Sequence, residues 1–357
     1  MKLKKKAVIP LCCAVLMLLA AGVCEIVSAV QFSGQIHQTA AERWNTDGTV
    51  PCGQVSAFFS RENALSAASV ESVQESIKKA LTTASLEPTN KDGRLWYDAW
   101  SGEQGTVSVT GAKQQETTAV ATAVGGEFFL AHPMKLLSGS YIRPDDLMHD
   151  RVVIDALLAW HTFGSSDVAG MELTVNGTIY KIAGVVEPAQ DKTTQTAYGD
   201  KPRLYLPFTA EPAESGESVG YSTSADITCY EVILPNPVRG FAEKTLREAL
   251  GEREHMQLVV NTRRGSAARR WDTLRHLREM VVSSDAIAYP WWENAARMRD
   301  FTAAELFRAE LLLLVFPLLC LLALIWKGYR FLERFIDEKR EASRRKYRTI
   351  EKDPYSV

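Results

Sequence analysis

Motifs for nucleotide hydrolysis and for metal binding are missing from this 357-residue sequence. It contains neither a Walker A sequence nor HExxH, so the chain does not supply a P-loop ATPase of its own or a zinc protease centre. Its six histidines are scattered singly, and no CxxC or Cys/His ligand spacing occurs. We therefore predict no metal site and no cofactor.

Cysteine is scarce outside the apolar parts of the chain. Only Cys52 and Cys229 lie in polar surroundings, and the remaining four fall within apolar runs: Cys12, Cys13, Cys24 and Cys320. An oxidising compartment would permit a disulfide between the two polar-region cysteines. The sequence does not fix their geometry. Cys52 and Cys229 are therefore a candidate disulfide, with two free thiols as the alternative.

Two strings that occur in enzymes lack the structural context that catalysis needs. Residues 216–220 (GESVG) match GxSxG, but they lie in a polar loop that is followed by a strand. A nucleophile elbow has a strand before the serine and a helix after it. Ser76 and Lys79 form SxxK inside a predicted helix, without the partner motifs of a lactamase-type site. We predict that the protein is not an enzyme.

Two apolar runs without charged residues are the strongest positive feature of the sequence. Residues 7–24 and 311–326 are each close to the length that crosses a bilayer core as a helix. The stretch between them is too polar to enter lipid, so both runs are predicted to be transmembrane helices. The first run has an alternative interpretation, because a lysine-rich start and Val27-Ser28-Ala29 would also suit a signal peptide cut after Ala29.

Charge predicts the orientation of the chain in the membrane. Residues 1–29 carry a net charge of +3 and residues 327–357 carry +4, which leaves −9 for the middle of a chain whose formal net charge is −2. Basic residues that flank membrane helices stay in the cytoplasm. We therefore expect a two-pass protein of the plasma membrane with both termini cytoplasmic and the central domain outside. An acidic ectodomain argues against nucleic acid as a partner.

The middle of the chain is predicted to contain two strand–helix–strand units, at 54–100 and 227–261. Residues 69–84 and 239–250 place apolar side chains at helical spacing, and short alternating strands surround each of them. The block between the units consists of strands and turns, and Asn176-Gly177 is its strongest hairpin signal. Residues 187–203 and 209–226 are predicted to be polar loops.

These patterns predict an α+β ectodomain between two transmembrane helices. The two strand–helix–strand units share a sheet, and a β-rich subdomain is inserted between them. The predicted order is a cytoplasmic N-terminus (1–6), transmembrane helix 1 (7–29), an extracytoplasmic α+β core (30–124 and 209–290), the inserted β-rich subdomain (125–208), a stalk helix (291–308), transmembrane helix 2 (309–326) and a basic cytoplasmic tail (327–357).

Several motifs in the middle block occur in a characteristic order and spacing. The turn at residues 136–141 (LLSGSY) is followed by Asp145-Asp146, and residues 170–186 (GMELTVNGTIYKIAGVV) form a hairpin pattern with regularly placed glycines. Together they resemble the extracytoplasmic core domain of MacB-like and FtsX-like ABC transporter permeases. The structural motif residues of this resemblance are Gly139, Asp145, Phe163, Gly164, Gly170, Asn176, Gly177 and Gly184.

The resemblance implies a non-catalytic permease subunit that couples an ABC ATPase to an extracytoplasmic domain. Implied partners are the ATPase subunit, a second permease chain, a second copy in a homodimer and the lipid bilayer. The sequence departs from the family at Ser140, where arginine is common, and in having one apolar run after the ectodomain where the family has three helices. The alternative is a two-helix membrane protein whose ectodomain is a binding or assembly module without transport.

Overall fold

The structure consists of two compact units. One combines the two terminal segments, Met1–Ala29 and Ala304–Val357, and the other spans Val30–Ala303. The candidate loop at 209–225, which contains the GxSxG string, lies outside the described residues. The computed structural model describes residues 5–44, 50–88, 93–113, 115–146, 148–188, 190–208, 226–278 and 287–352, with side chains between 9 and 345.

The terminal unit contains the two candidate transmembrane helices that the sequence predicts. Helix α1 spans Lys5–Ser33, and helix α9 begins at Trp291, where the stalk was predicted, and continues to Lys352. Each is long and apolar enough to cross a membrane. Their large apolar side chains are mostly exposed, whereas Ala14 and Ala21 form a buried stripe of small residues on α1. Apolar side chains on the outside are expected where lipid is the solvent.

The ectodomain is built on one continuous sheet of ten strands with the order β10-β1-β9-β2-β3-β8-β5-β7-β4, while β6 pairs with both β2 and β7. The strands are β1 (Cys52–Phe59), β2 (Tyr97–Thr110), β3 (Glu116–Gly126), β4 (Lys135–Gly139), β5 (Arg151–Asp155), β6 (Glu172–Val175), β7 (Thr178–Glu187), β8 (Arg203–Pro207), β9 (Cys229–Pro235) and β10 (Met256–Val260). The other α-helices of the described residues are α2 (Ala40–Trp44), α3 (Ala67–Thr83), α4 (Phe128–Ala131), α5 (Ala156–Thr162), α6 (Lys192–Tyr198), α7 (Phe241–Leu250) and α8 (Ala267–Arg275).

The two predicted strand–helix–strand units share this sheet. β1 pairs with β10 and β9, and β9 pairs with the first part of β2. Helix α3 begins where the Ser66 hydroxyl accepts the Ser69 amide, and its apolar face is buried. Helix α7 ends at Gly251, whose φ of +69° and ψ of −176° are a conformation that glycine adopts without strain. The α+β class predicted from the sequence is confirmed.

Six strands of the sheet form a closed circuit, in which each strand pairs with the next: β2, β3, β8, β5, β7, β6 and again β2. We call this closed circuit the barrel. The fifteen residues of its buried cluster are all aliphatic, and include Leu173, Ile182 and Leu204. Two of its strands, β2 and β3, begin before residue 125, where the sequence analysis starts the inserted subdomain.

The predicted hairpins are present, and two local predictions were wrong. β2 is one strand of fourteen residues that continues past residue 100, where the sequence analysis ends the first strand–helix–strand unit. Helix α6 lies within the predicted polar loop at 187–203, because the Asp191 carboxylate caps the Thr194 amide and the Tyr198 side chain is buried. In both cases tertiary contacts decide the conformation, and local polarity is a weak guide to them.

The candidate disulfide between Cys52 and Cys229 is not formed, and both thiols are free. The antiparallel register pairs Cys52 with Pro235 and Cys229 with Phe58, so the two cysteines lie at opposite ends of the β1–β9 pair. Six residues of strand separate them, or about 20 Å. A disulfide needs Cα atoms within about 7 Å of each other.

Candidate functional site: the stalk junction

The first turns of helix α9 are buried against the sheet. Trp291 and Trp292, which the sequence analysis assigned to the stalk, are 3% and 2% exposed and belong to an aromatic cluster with Phe128, Tyr198 and Tyr205. We define the stalk junction as residues 34–44 and 289–303 together with the side chains that they contact. All of these residues belong to the Val30–Ala303 unit.

A buried arginine fixes α9 to the sheet. One terminal nitrogen of Arg264 donates to Glu293 Oε1 at 2.6 Å and the other to Glu293 Oε2 at 2.9 Å, while its Nε donates to Asp300 Oδ2 at 2.8 Å. All three residues are no more than 3% exposed. Glu293 and Asp300 are seven positions apart, which puts them on one face of the helix. A bidentate arginine–carboxylate pair is among the strongest hydrogen-bonded arrangements in proteins.

The charges of this group depend on one another. Burial disfavours the charge on Arg264, but the Glu293 and Asp300 carboxylates outweigh it and raise the pKa of the guanidinium above its ordinary value. Burial raises the pKa of Asp300, and Arg264 opposes that rise. Without the arginine, Asp300 would be a buried charge that has lost its paired cation, which is strongly unfavourable.

Hydrogen bonds continue from Arg264 into the centre of the sheet. A terminal nitrogen of Arg264 also donates to Asn261 Oδ1 at 3.2 Å, and Asn261 Nδ2 donates to Ser56 Oγ at 2.7 Å. Ser56 Oγ then donates to Glu231 Oε1 at 2.5 Å, and Glu231 Oε2 contacts His132 Nε2. A buried polar path therefore joins α9 to β1, to β9 and to the end of α4.

A second arginine of α9 holds the edge of the sheet. Arg297 Nε donates to Glu293 Oε1 at 3.1 Å, and one of its terminal nitrogens donates to Gln257 on β10 at 2.6 Å. The Arg297 guanidinium lies 3.4 Å from the centre of the Tyr289 ring, and the Tyr289 hydroxyl donates to Gln257. A cation over an aromatic face adds to the attraction.

The chain that leaves α1 is held by a buried amide. Gln54 on β1 donates from Nε2 to the His37 carbonyl at 2.9 Å, and its Oε1 accepts the Ala40 amide at 2.9 Å. The His37 ring lies edge-on to Trp291 with ring centres 4.9 Å apart. Both connections between the sheet and the apolar helices therefore meet at the paired tryptophans.

Contacts with α6 and β5 join the stalk junction to the barrel. Arg299 donates to Asp191 Oδ1 at 2.7 Å, and the Trp291 and Tyr198 rings meet with centres 5.0 Å apart. The Tyr198 hydroxyl donates to Asp155 Oδ2 at 3.1 Å. Burial raises the pKa of Asp155 to about 6, although the Leu158 and Arg203 amides and the Tyr198 hydroxyl donate hydrogen bonds to its carboxylate.

The structural motif residues predicted from the sequence lie on turns of the barrel and its neighbouring strands. Gly139 pairs with Gly184 between β4 and β7, and the Gly170 amide donates to Ile182 at 2.8 Å. A Cβ at Gly139 would lie 2.1 Å from the Ala183 carbonyl oxygen, and Gly139 has φ of +73°. Only glycine fits this close approach without strain.

The other motif residues form separate turns. Asn176 and Gly177 make the β6–β7 hairpin, where Asn176 Oδ1 accepts the Ser108 amide at 2.8 Å. Phe163 and Gly164 follow the end of α5, with φ of +79° at Gly164. Asp145 is exposed and pairs with Arg143 at 3.1 Å. None of these residues lies in the stalk junction as defined by the described contacts, so their functional role stays a prediction.

The sequence analysis did not find the charged residues of the stalk junction. Glu293, Arg297 and Asp300 occupy positions i, i+4 and i+7 of the stalk helix, a spacing that places the three side chains on one face of the helix. Nothing local indicates that Arg264, about thirty residues earlier, reaches that face. Only the fold brings the partners together.

Comparison with known proteins identifies a family. The family model of the MacB-like periplasmic core domain matches residues 22–239. No curated protein matches the sequence. Similar solved structures include the periplasmic region of MacB from Actinobacillus actinomycetemcomitans, with 16% identity, a TM-score of 0.39 and coverage of 66% of this chain and 96% of that one. Another is the extracellular domain of the noncanonic ABC-type transporter YknZ from Gram-positive bacteria, with 11% identity, a TM-score of 0.37 and coverage of 58% and 99%.

Proposed function

Because the chain belongs to the family of MacB-like periplasmic core domains, which are parts of ABC-type transporter permeases, we propose that it is a permease-like subunit without catalytic activity of its own. It couples the work of an ATPase to its ectodomain. The observation that carries this proposal is helix α9, which runs without a break from the buried Trp291 to Lys352. Residues 311–326 of that helix form the apolar run that we assign to the membrane.

The buried charges of the stalk junction support a role in transmitting movement. A displacement along α9 can reach the sheet only if the first turns of the helix do not slip against it. Separating Arg264 from Glu293 and Asp300 would leave buried charges unpaired, at a cost of about 3–5 kcal/mol. The Arg299–Asp191 pair and the Trp291–Tyr198 contact would then pass the displacement of α9 on to the barrel.

The proposed arrangement in the cell follows from charge and from the family. Both termini lie in the cytoplasm and the acidic ectodomain lies outside, because basic residues flank the two apolar runs. The proposed partners are an ABC ATPase subunit on the cytoplasmic side, a second permease chain and a second copy of this chain. Residues 327–345 of α9 carry exposed aromatic and basic side chains, which suit contact with a partner or with lipid headgroups.

Purification of the full-length protein in mild detergent, with and without crosslinking, tests the partnership. We expect an ATPase with Walker motifs to copurify at native expression and to be identified by mass spectrometry. A protein that is recovered without any ATPase under both conditions would contradict the proposal and would favour a free-standing binding or assembly module.

Coupling is tested separately on the purified complex. Arg264→Met should uncouple ATP hydrolysis from any response of the ectodomain, without releasing the ATPase. The matched control is Arg269→Met, because Arg269 pairs with Asp272 at 3.3 Å on the surface of α8. Equal ectodomain responses in both variants would argue against transmission through the buried pair.

A further inference from the structure

Two buried histidines face each other beside the paired tryptophans. His37 follows α1 and is 7% exposed, and His132 ends α4 and is 0% exposed. Their ring centres are 5.5 Å apart, and His132 also lies 4.5 Å from the Trp292 ring. Six histidines occur in the whole chain. The pairing of two of them at the junction of both helix connections is a feature that the proposed function does not use.

The two histidines differ in their partners. His132 Nε2 contacts the buried Glu231 carboxylate, which supplies a negative charge beside it. His37 Nδ1 is buried without a hydrogen-bond partner among the described residues. A protonated imidazole has N–H donors on both ring nitrogens. Protonation of His37 would therefore bury a donor that has no acceptor.

The charged groups around His37 also oppose a positive charge there. Arg43 on α2, His132 on α4 and Arg299 on α9 all face it, and Asp191 before α6 is the acidic group that favours its protonation. Asp191 is already paired with Arg299 at 2.7 Å. Although partial burial raises the pKa of Asp191, hydrogen bonds from Thr194 and Arg299 outweigh it and lower that pKa.

The geometry points to an acid-released latch, in which uptake of one proton by His37 detaches residues 34–44 from Trp291 and Trp292. In the neutral state the segment is held by the two Gln54 hydrogen bonds, by the ring contacts of His37 and by Arg43, which donates to the Leu130 and Ala131 carbonyls at 3.0 Å. Exposure to water would give the protonated ring an acceptor for its buried Nδ1. Acid would thus loosen the connection of α1 to the sheet, while the Arg264 pair keeps α9 in place.

The direction of the pH dependence follows from the native environment of His37. Burial lowers its pKa well below the ordinary 6.5, and the charges of His132, Arg43 and Arg299 lower it further. In the closed state residues 34–44 are packed against Trp291 and Trp292, and in the open state they are detached. The open state binds the proton more readily than the closed state, so the closed state is lost as pH falls below 6.5. Between 6.5 and the native pKa, the ratio of closed to open should fall about tenfold for each pH unit.

Hydrogen–deuterium exchange of the full-length protein in detergent tests the latch. Exchange is compared at about pH 7.5 and about pH 5, with labelling times scaled for the intrinsic effect of pH on amide exchange. We expect protection of residues 36–44 to fall at the lower pH, on the scale of about tenfold per pH unit below 6.5. Peptides from β6 and β7 of the barrel should keep their protection, which separates local release from general acid unfolding.

Matched variants identify the titrating group. His37→Gln should keep the protection of 36–44 at both pH values, and His161→Gln, which changes an exposed histidine on α5, should respond to acid as the unmodified protein does. If His37→Gln lacks a cooperative thermal transition at neutral pH, His37→Phe takes its place. Unchanged protection in the unmodified protein, or equal loss in the His37 variant, would overturn the proposal. Neither result depends on an ATPase partner, so the latch and the proposed function can fail independently.

Discussion

The barrel and the stalk junction belong to the same sheet but are held together by different interactions. The buried cluster of the barrel is aliphatic throughout. The stalk junction buries the charged residues Arg264, Glu293 and Asp300, and its paired tryptophans belong to an aromatic cluster. Aliphatic cores tolerate exchanges of similar volume. Buried ion pairs contribute little net stability when intact and are costly to break.

This difference separates two properties of the ectodomain. The barrel is stabilised by area and shape, so it should behave as a rigid body that many sequences could build. The stalk junction depends on particular partners, so it should be sensitive to single changes of charge. We expect variants of the two regions to differ in what they change: stability alone in the barrel, and the attachment of α9 in the stalk junction.

The largest expected effect follows from removing the buried cation. Arg264→Met removes the cation that pairs with Asp300 and leaves Glu293 with Arg297 alone, and should lower the free energy of unfolding by about 3–5 kcal/mol. Thermal unfolding of the detergent-solubilised chain by circular dichroism measures the change. Arg269→Met removes a partly exposed ion pair and should cost less than about 1 kcal/mol. Similar losses of unfolding free energy in both variants would contradict the distinction between the stalk junction and the barrel.

A smaller effect is expected from backbone packing beside the barrel. Gly139 and Gly170 have φ of +73° and +85°, but a Cβ would meet the Ala183 carbonyl oxygen at 2.1 Å only at Gly139. Both alanine variants carry the left-handed strain of about 1–2 kcal/mol. Gly139→Ala should lose roughly 1–3 kcal/mol more, as overpacking does.

The Gly139 comparison is measured by thermal unfolding and by exchange of the peptides that contain α9. Both glycine variants should leave the protection of residues 291–300 unchanged. A loss of protection there in Gly139→Ala would mean that strain in the barrel region spreads into the stalk junction.

A pH dependence is expected where the two regions meet. The pKa of Asp155 is raised from 3.8 to about 6, so the folded state binds the proton more tightly than the unfolded state. Stability should therefore fall as pH rises from about 4 to about 6, by about 3 kcal/mol, and stay constant above that. Asp155→Asn should remove this slope in thermal unfolding measured at a series of pH values. A slope that persists in the variant would assign it to another group.

Much of the fold can be predicted from local sequence because its elements carry local signals. The α3 face, the Gly251 cap and the Asn176-Gly177 turn each follow from a few neighbouring residues. The closure of the barrel cannot be found in this way, because it rests on Val109 of β2 pairing with Val175 of β6. Such long-range pairings depend on register across the whole sheet.

The candidate site was missed for a similar reason. Trp291 and Trp292 begin the predicted stalk helix, and nothing in the neighbouring sequence shows that the structure buries them against the sheet. Arg264 and Glu231 look like ordinary surface charges when only their neighbours in the chain are considered. The burial of a charge is decided by partners that are distant in sequence, and sequence periodicity does not contain that information.

Closure of the barrel has a consequence for how these proteins can crowd together. Of the ten described strands, β4 and β10 end the sheet, since β6 completes the circuit. A bulge between Leu136 and Ser138 interrupts β4, and Tyr289 and Arg297 cover Gln257 on β10. Open strand edges recruit other chains into aggregates. A sheet whose two edge strands are disrupted or covered does not readily pair with the sheets of other copies. The protein can therefore reach a high density in the plane of a membrane without aggregating through its strand edges.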